Sequence, residues 1–237
     1  MIGRPKAIVF DLDDTLVQTN SASAITWEGL AREFARELSV DEDVFSTTLD
    51  ESRKWFWDDA QRHKTWRLRM GESSAEVLRL TNLRLGLTAA PDAMLERFAE
   101  SYVQRFFSAL DLFPDARAVL DALHARGTQL ALITNGGAEW QRRKIDLHAL
   151  ENEFECIVVE GEFGVGKPDP RTYKHVLSVL GVDAAETWMV GDRLDWDVLA
   201  PQNVGITGVW FDFQAKGLPA KRQGEPDRVI HKLSELL

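Results

Sequence analysis

Cysteine is nearly absent from this sequence, because Cys156 is the only one. A single cysteine excludes an internal disulfide, and its place in an apolar run predicts a buried structural residue. The five histidines lack the close spacing that zinc ligands show, which argues against a zinc site. No apolar run approaches the roughly 20 residues that a bilayer crossing needs, so no membrane partner is expected.

Positive charge is also in the minority, since 28 Lys and Arg face 38 Asp and Glu. The resulting net charge of −10 would repel a nucleic-acid backbone, so no nucleic acid is expected as a partner. An anionic ligand would need local positive groups. The first residues lack the apolar stretch of a signal peptide, which predicts a cytoplasmic location. We expect a monomer or a homodimer.

Short apolar segments rich in β-branched residues alternate with helical patterns along most of the chain. Alternation of this kind predicts a doubly wound parallel sheet of Rossmann-like type, with helices on both faces in a three-layer α/β/α domain. The predicted helices between the strands are 115–126, 137–147, 170–180 and 195–203, and a short helix ends the chain. The predicted strands are 7–10, 130–133, 157–159, 188–190, 206–210 and 228–230.

The alternation is interrupted once, over residues 17–109, where only helix-length patterns occur. This predicts an all-helical cap domain inserted into a core made of residues 1–16 and 110–237. Its predicted helices are 21–38, 44–70, 73–85 and 91–107, so that Trp55, Asp59, Arg62 and Trp66 would share one helix face. Packing is the favoured explanation of that face. Contact of Arg62, His63 or a tryptophan with a substrate is the alternative.

Polar residues gather where the predicted strands end. In an open α/β sheet, ligands bind beyond the carboxyl ends of the strands. Crowded carboxylates without histidine favour a hard cation such as Mg²⁺, with Asp11 and Asp192 as direct ligands. Lys167 and Thr134 would contact a phosphate group. The residues at these strand ends are Asp11, Asp13 and Thr15, then Thr134 and Asn135, then Lys167 after a loop, and finally Asp192 and Asp197.

These strand-end residues resemble the four motifs of the haloacid dehalogenase-like hydrolases, in the family's order. The helical segment after the first motif is similar to the cap of one subfamily. The resemblance implies a magnesium-dependent phosphatase that acts on a small phosphorylated metabolite through an aspartyl phosphate. The four matching motifs are Asp11 to Leu16, Thr134-Asn135, Lys167 in Gly-Lys-Pro-Asp-Pro, and Gly191-Asp192 followed by Asp197.

The resemblance also implies a role for each residue. Asp11 is the nucleophile, and Asp13 protonates the leaving group and then activates water, while its backbone carbonyl ligates the metal. Lys167 neutralises negative charge at the catalytic centre. The substrate-binding residues would be Thr134, the backbone N–H of Asn135, and Thr15. The metal ligands would be Asp11, Asp13 and Asp192, with Asp197 holding a metal-bound water.

Three other activities are compatible with the same pattern. A carbon–halogen hydrolase uses the nucleophile without a metal, but such enzymes lack the second aspartate, so Asp13 argues against it. A phosphomutase is possible on the same fold, and so is a catalytically silent binding protein. The fourth motif also departs from many relatives at Arg193, Trp196 and Pro201, which puts the surroundings of the site in question.

Overall fold

The computed structural model describes residues 3–237; residues 1 and 2, the first of the predicted core, lie outside the described residues. The chain divides into two compact units. One runs to Gln18 and resumes over Asp111–Leu237, and the other is Thr19–Leu110. None of the helices in the described part of the chain combines the length and apolar character of a bilayer crossing.

The unit Thr19–Leu110, every residue of which is described, contains helices and no strand. Its interior is aromatic: the rings of Phe34 and Phe98 meet edge to face at a centroid distance of 4.7 Å, and Trp27 packs beside Phe98. The helices are α1 (Thr19–Glu37), α2 (Glu42–Asp58), α3 (Ala60–Trp66), α4 (Met70–Arg84) and α5 (Asp92–Ser108).

The predicted continuous helix over 44–70 is wrong, because the chain breaks at Asp59 between α2 and α3. The Asp59 carboxylate accepts a hydrogen bond from the Arg62 N–H at 2.7 Å, as an N-cap residue does. The Arg62 guanidinium donates to the carbonyls of Trp55 and Phe56 and lies 3.8 Å from the Trp55 ring centroid. Arg62 therefore closes the end of α2, which favours the packing interpretation.

The other unit contains a parallel sheet with flanking helices, which confirms the predicted doubly wound fold. Among the described residues the strand order is β3-β2-β1-β4-β5-β6. The chain moves outward from β1 to β3 and then returns to β4, so the order reverses beside β1, where ligands usually bind. The strands are β1 (Ala7–Phe10), β2 (Gln129–Thr134), β3 (Cys156–Val159), β4 (Thr187–Gly191), β5 (Thr207–Phe211) and β6 (Arg228–Ile230).

Apolar side chains fill the space between this sheet and its helices. Val9, Ile133 and Met189, from three adjacent strands, pack against Val176 of a covering helix in one buried cluster. Cys156 belongs to the same cluster, and burial raises the pKa of its thiol, as expected for a structural cysteine. The helices are α6 (Ala116–Ala125), α7 (Ala138–Leu147), α8 (Glu160–Phe163), α9 (Pro170–Leu180) and α10 (Ala200–Gln202).

Two predicted helices of this unit are wrong in type. In place of the helix over 195–203 there is a π-helical turn, Leu194–Leu199, followed by the short α10. The Ala200 N–H donates to the Asp195 carbonyl, and Pro201 has no N–H with which to extend the regular ladder. The predicted C-terminal helix is a 3₁₀ turn, Leu233–Leu236.

Candidate active site

Asp11 is the first residue beyond β1, at the centre of the sheet. Its N–H donates to the Val190 carbonyl at 2.9 Å, which fixes its backbone against the buried strand β4. A tight turn follows, in which the Leu12 carbonyl accepts from the N–H groups of Leu16 and Val17. Asp14 has a φ of 57° in this turn, a conformation that aspartate tolerates better than most residues. The turn holds the first motif close to the sheet edge.

Lys167 lies against Asp11 although its chain position is far away. Its side chain is only 2% exposed, and Nζ lies 2.6 Å from a carboxylate oxygen of Asp11 and 2.6 Å from one of Asp197. Burial alone would lower the pKa of Lys167, but the two carboxylates outweigh burial and raise that pKa above its ordinary value. Lys167 therefore remains positively charged in the interior.

Asn135 fixes the backbone of Lys167 through its side chain. Its amide group donates to the Lys167 carbonyl at 2.8 Å, and its carbonyl oxygen accepts from the Lys167 N–H at 2.7 Å. A Cβ on the neighbouring Gly166 would lie 2.5 Å from that same oxygen, so only glycine fits there. The side chain of Asn135 thus has a contact that the predicted role for its backbone N–H did not include.

Three carboxylates meet at this edge. Oxygens of Asp11, Asp192 and Asp197 lie within 4.8 Å of one another. Burial, followed by the neighbouring carboxylates, raises the pKa of Asp192 to about 9; burial also raises that of Asp11 to about 7, against the opposing charge of Lys167. A divalent cation among these oxygens would stabilise their ionised forms, and an all-oxygen donor set suits Mg²⁺. The residues therefore fit a hard metal ion.

The π-helical turn brings Asp197 into this cluster. Asp197 is fully buried, with one oxygen beside Lys167 and the other accepting the Arg193 N–H at 2.9 Å. A Cβ at Gly191 would overlap the Asp197 carboxyl group, so the strand end must be glycine. The Tyr173 hydroxyl holds the turn by donating to the Trp196 carbonyl at 2.5 Å.

Arg193 and Trp196, two of the three departures from the fourth motif, have side chains that pack on each other. The Arg193 guanidinium carbon lies 4.6 Å from the centroid of the Trp196 ring. Arg193 is exposed, and its contact with the acidic cluster is made by its backbone N–H. These two departures therefore leave the carboxylates of the fourth motif in place.

Asp13 has partners that the sequence analysis missed. Lys144 Nζ lies 2.6 Å from one oxygen of the Asp13 carboxylate, and the Gln141 side-chain amide donates to the other oxygen at 3.1 Å. Gln141 also donates to the hydroxyl oxygen of Thr134. Both partners lie on α7 and are buried. The sequence held no local signal for them, because lysine and glutamine in a polar run usually face water.

The first motif and the second are thus connected by side chains, and Thr15, which is predicted to bind substrate, lies within the first motif. Thr15 is fully buried, and its hydroxyl donates to Asp11 at 3.4 Å. Its observed contact is with the predicted nucleophile. Glu160 is a further missed residue, because its buried carboxylate accepts the Gly136 N–H at 2.9 Å and so holds the loop after β2.

Two known phosphatases are similar in sequence to this chain over most of its length. The phosphoserine phosphatase of Thermus thermophilus is 33% identical, over 98% of this chain and 97% of that protein. A glyceraldehyde 3-phosphate phosphatase of Pyrococcus abyssi is 32% identical, over 88% of this chain and 82% of its own length.

Solved structures give the same fold. A magnesium-bound HAD-hydrolase of Bacillus subtilis superposes with a TM-score of 0.73 at 21% identity, covering 99% of this chain and 97% of that one. A 2-haloacid dehalogenase of Pseudomonas syringae has a TM-score of 0.64 at 27% identity, covering 98% and 96%. The family model described as haloacid dehalogenase-like hydrolase matches residues 5–205. The chain belongs to the haloacid dehalogenase-like hydrolases.

Proposed function

We propose that this protein is a magnesium-dependent phosphatase that hydrolyses a small phosphorylated metabolite through an aspartyl phosphate on Asp11. The observation that carries the proposal is the position of Lys167, 2.6 Å from both Asp11 and Asp197 at the edge of a carboxylate cluster. A buried cation beside a carboxylate nucleophile suits a substrate that arrives with negative charge. The phosphatase names of the relatives support the same class.

The first chemical step belongs to Asp11. Its carboxylate oxygen attacks phosphorus, and the bond between phosphorus and the ester oxygen breaks. Asp13, two residues on, gives a proton to that oxygen, so that an alcohol leaves. Lys167 offsets the negative charge that Asp11 and the phosphoryl group bring together. When bound, Mg²⁺ would be held by Asp11, Asp192 and the Asp13 carbonyl, with Asp197 behind a water, and would neutralise charge on the phosphoryl oxygens.

The second step returns the enzyme to its starting state. Asp13 takes a proton from a water molecule, whose oxygen attacks phosphorus, and the bond from phosphorus to Asp11 breaks. Inorganic phosphate leaves, and Asp11 is again a carboxylate. Thr134 and the Asn135 N–H bind phosphoryl oxygens in both steps, and Thr15 acts by holding Asp11. One water is consumed for each ester.

We propose that residues 1–16 and 110–237 form the catalytic core and that residues 17–109 form the cap domain.

The substrates in the names of the relatives, phosphoserine and glyceraldehyde 3-phosphate, are both small phosphate esters. A substrate of that size is therefore the class to search first. The lack of a membrane-spanning helix among the described residues and the negative charge of the chain agree with a soluble cytoplasmic enzyme.

Carbon–halogen hydrolysis is the second candidate, because a 2-haloacid dehalogenase is among the similar structures. Asp13 argues against it, since dehalogenase chemistry needs neither a metal nor a second aspartate. In this chain both oxygens of Asp13 have hydrogen-bonding partners, and the carboxylate cluster beside it suits a metal ion. Phosphomutase activity would appear as transfer of phosphate to a second sugar position.

The test is a panel of phosphorylated metabolites, with 4-nitrophenyl phosphate as a general substrate and a 2-haloacid as the competing one. Phosphate release should require Mg²⁺ and stop in excess EDTA, and Asp11→Asn should reduce turnover by several orders of magnitude. Undiminished activity in EDTA would rule out the metal assignment. Halide release without phosphate release would replace the phosphatase with the dehalogenase.

A further inference from the structure

Helix α7 supplies two side chains to Asp13, and neither belongs to the roles assigned above. Lys144 is 3% exposed and Gln141 is 1% exposed, so both polar groups have been taken out of water. Burying an ammonium group is costly unless it is paired. Its ion pair with Asp13, at 2.6 Å, provides such a partner. A buried lysine at this place needs an explanation beyond packing.

The two side chains hold both oxygens of the Asp13 carboxylate. Lys144 donates to one oxygen and Gln141 to the other, so the carboxylate plane cannot rotate without breaking a hydrogen bond. Asp13 is about one-third exposed at its side chain, which leaves it accessible to a leaving group or a water. Proton transfer requires the carboxyl oxygen within hydrogen-bonding reach of the reacting atom, so a fixed orientation increases the rate.

Gln141 also sets the direction of the Thr134 hydroxyl. Its amide nitrogen donates to the hydroxyl oxygen of Thr134 as well as to Asp13. A threonine hydroxyl has one proton, and an oxygen that accepts from Gln141 keeps that proton for another acceptor. Thr134 is therefore oriented as a donor, which is the role that binding a phosphoryl oxygen requires.

We propose that Gln141 and Lys144 are positioning residues: Lys144 fixes Asp13 for proton transfer, and Gln141 aligns Asp13 with the phosphate-binding hydroxyl of Thr134. The inference rests on the proposed phosphatase function, because it assigns no activity of its own. The two buried lysines of the site then have different roles. Lys167 serves the nucleophile and Asp197, whereas Lys144 serves the acid and base.

The test compares two aryl esters with the full-length protein in Mg²⁺. The leaving group of 4-nitrophenyl phosphate departs with little protonation, whereas that of phenyl phosphate is more basic and needs the acid. Lys144→Met should lower kcat/KM for phenyl phosphate about tenfold, a part of the hundredfold or more that a general acid contributes. It should lower kcat/KM for 4-nitrophenyl phosphate less than threefold, because this constant reports formation of the aspartyl phosphate and not its hydrolysis.

Gln141→Leu tests the contact of Gln141 with Thr134 as well as its contact with Asp13. Because it releases Thr134 as well as Asp13, it should raise KM for both esters about three- to tenfold, in addition to a leaving-group-dependent loss in kcat/KM. Lys174→Met is the matched control, since it makes the same chemical change on the exposed face of α9. It should leave both constants unchanged.

A double-mutant comparison decides whether Lys144 acts through Asp13. In the Asp13→Asn background, adding Lys144→Met should cause less than a twofold further loss. An equal loss for both esters, or a full further loss in that background, would overturn the positioning role while leaving the phosphatase proposal intact. Failure of the unmodified protein to hydrolyse either ester would overturn both. If Lys144→Met does not fold, the two readouts from Gln141→Leu decide.

Discussion

Ion pairs in the two units of this protein differ in what surrounds them. In the sheet-containing unit, Lys167 is 2% exposed and shares two carboxylates. In the helical unit, Arg97 of α5 pairs with Glu37 of α1, and the two side chains are 55% and 37% exposed. Exposed pairs contribute little to stability because water competes for both charges. Buried charges are costly and persist where their chemistry is needed, so the contrast locates the site.

Among the substitutions in these ion pairs, Lys167→Met should have the largest effect on stability and activity. The substitution leaves Asp11 and Asp197 buried without their cation, which typically costs about 3–5 kcal/mol of folding free energy. Loss of a group that stabilises charge in the transition state should also reduce kcat/KM about a hundred- to thousandfold. Thermal unfolding and steady-state kinetics in Mg²⁺ measure the two effects. Near-normal melting and a tenth or more of normal activity would remove Lys167 from its central position.

Asp192→Asn should separate metal binding from folding stability. The folded-state pKa of Asp192 is about 9, above the usual value for aspartate of about 3.9. Because the folded protein holds the proton more tightly than the unfolded chain, the free energy of unfolding falls as the pH rises from about 3.9 towards 9. Without metal at pH 9, Asp192→Asn should therefore melt at a higher temperature than the unmodified protein.

The same variant should fail to respond to magnesium. Mg²⁺ stabilises whichever state binds it, so it should raise the melting temperature of the unmodified protein and leave that of Asp192→Asn nearly unchanged. Asp195→Asn is the control, because Asp195 is an exposed aspartate on the π-helical turn that follows Asp192. An equal magnesium response in Asp192→Asn and the unmodified protein would exclude Asp192 as a ligand.

Arg97→Met should have the smallest effect. An exposed pair of this kind is worth about 0–1 kcal/mol, so the melting temperature should change little. Turnover of 4-nitrophenyl phosphate should be the same as in the unmodified protein. Differential scanning calorimetry gives the first quantity. A loss of several kcal/mol would mean that exposure does not separate the two classes of ion pair.

The residues at strand ends could be predicted from the sequence because a parallel sheet places them in a known location. Short β-branched segments identified the strands, and Asp11, Lys167 and Asp192 follow three of them directly or after a loop. The carboxyl ends of parallel strands lie at one edge of the sheet, so residues that follow those ends are expected near each other. The family motifs then assigned their chemistry.

The residues on helices could not be predicted in the same way. Lys144 and Gln141 lie in a run of polar residues, where lysine and glutamine usually face water, and only the packed fold places them beside Asp13. Asp59 did carry a local signal, since aspartate favours N-cap positions over helix interiors. Pro201 was a local signal against a regular helix over 195–203, but a helical pattern does not specify the π-helical turn at Leu194–Leu199.

The central claim, hydrolysis through an aspartyl phosphate, is tested most directly by trapping that species. Asp13→Asn should form it from 4-nitrophenyl phosphate, whose leaving group needs little protonation, and should hydrolyse it slowly because no base activates water. Rapid-quench experiments in Mg²⁺, with mass spectrometry of the peptide that contains Asp11, should show phosphate accumulating on Asp11 of this variant. The Asp11→Asn variant should show none. Turnover of the ester by the unmodified protein, with no covalent phosphate in Asp13→Asn at any time, would contradict the account.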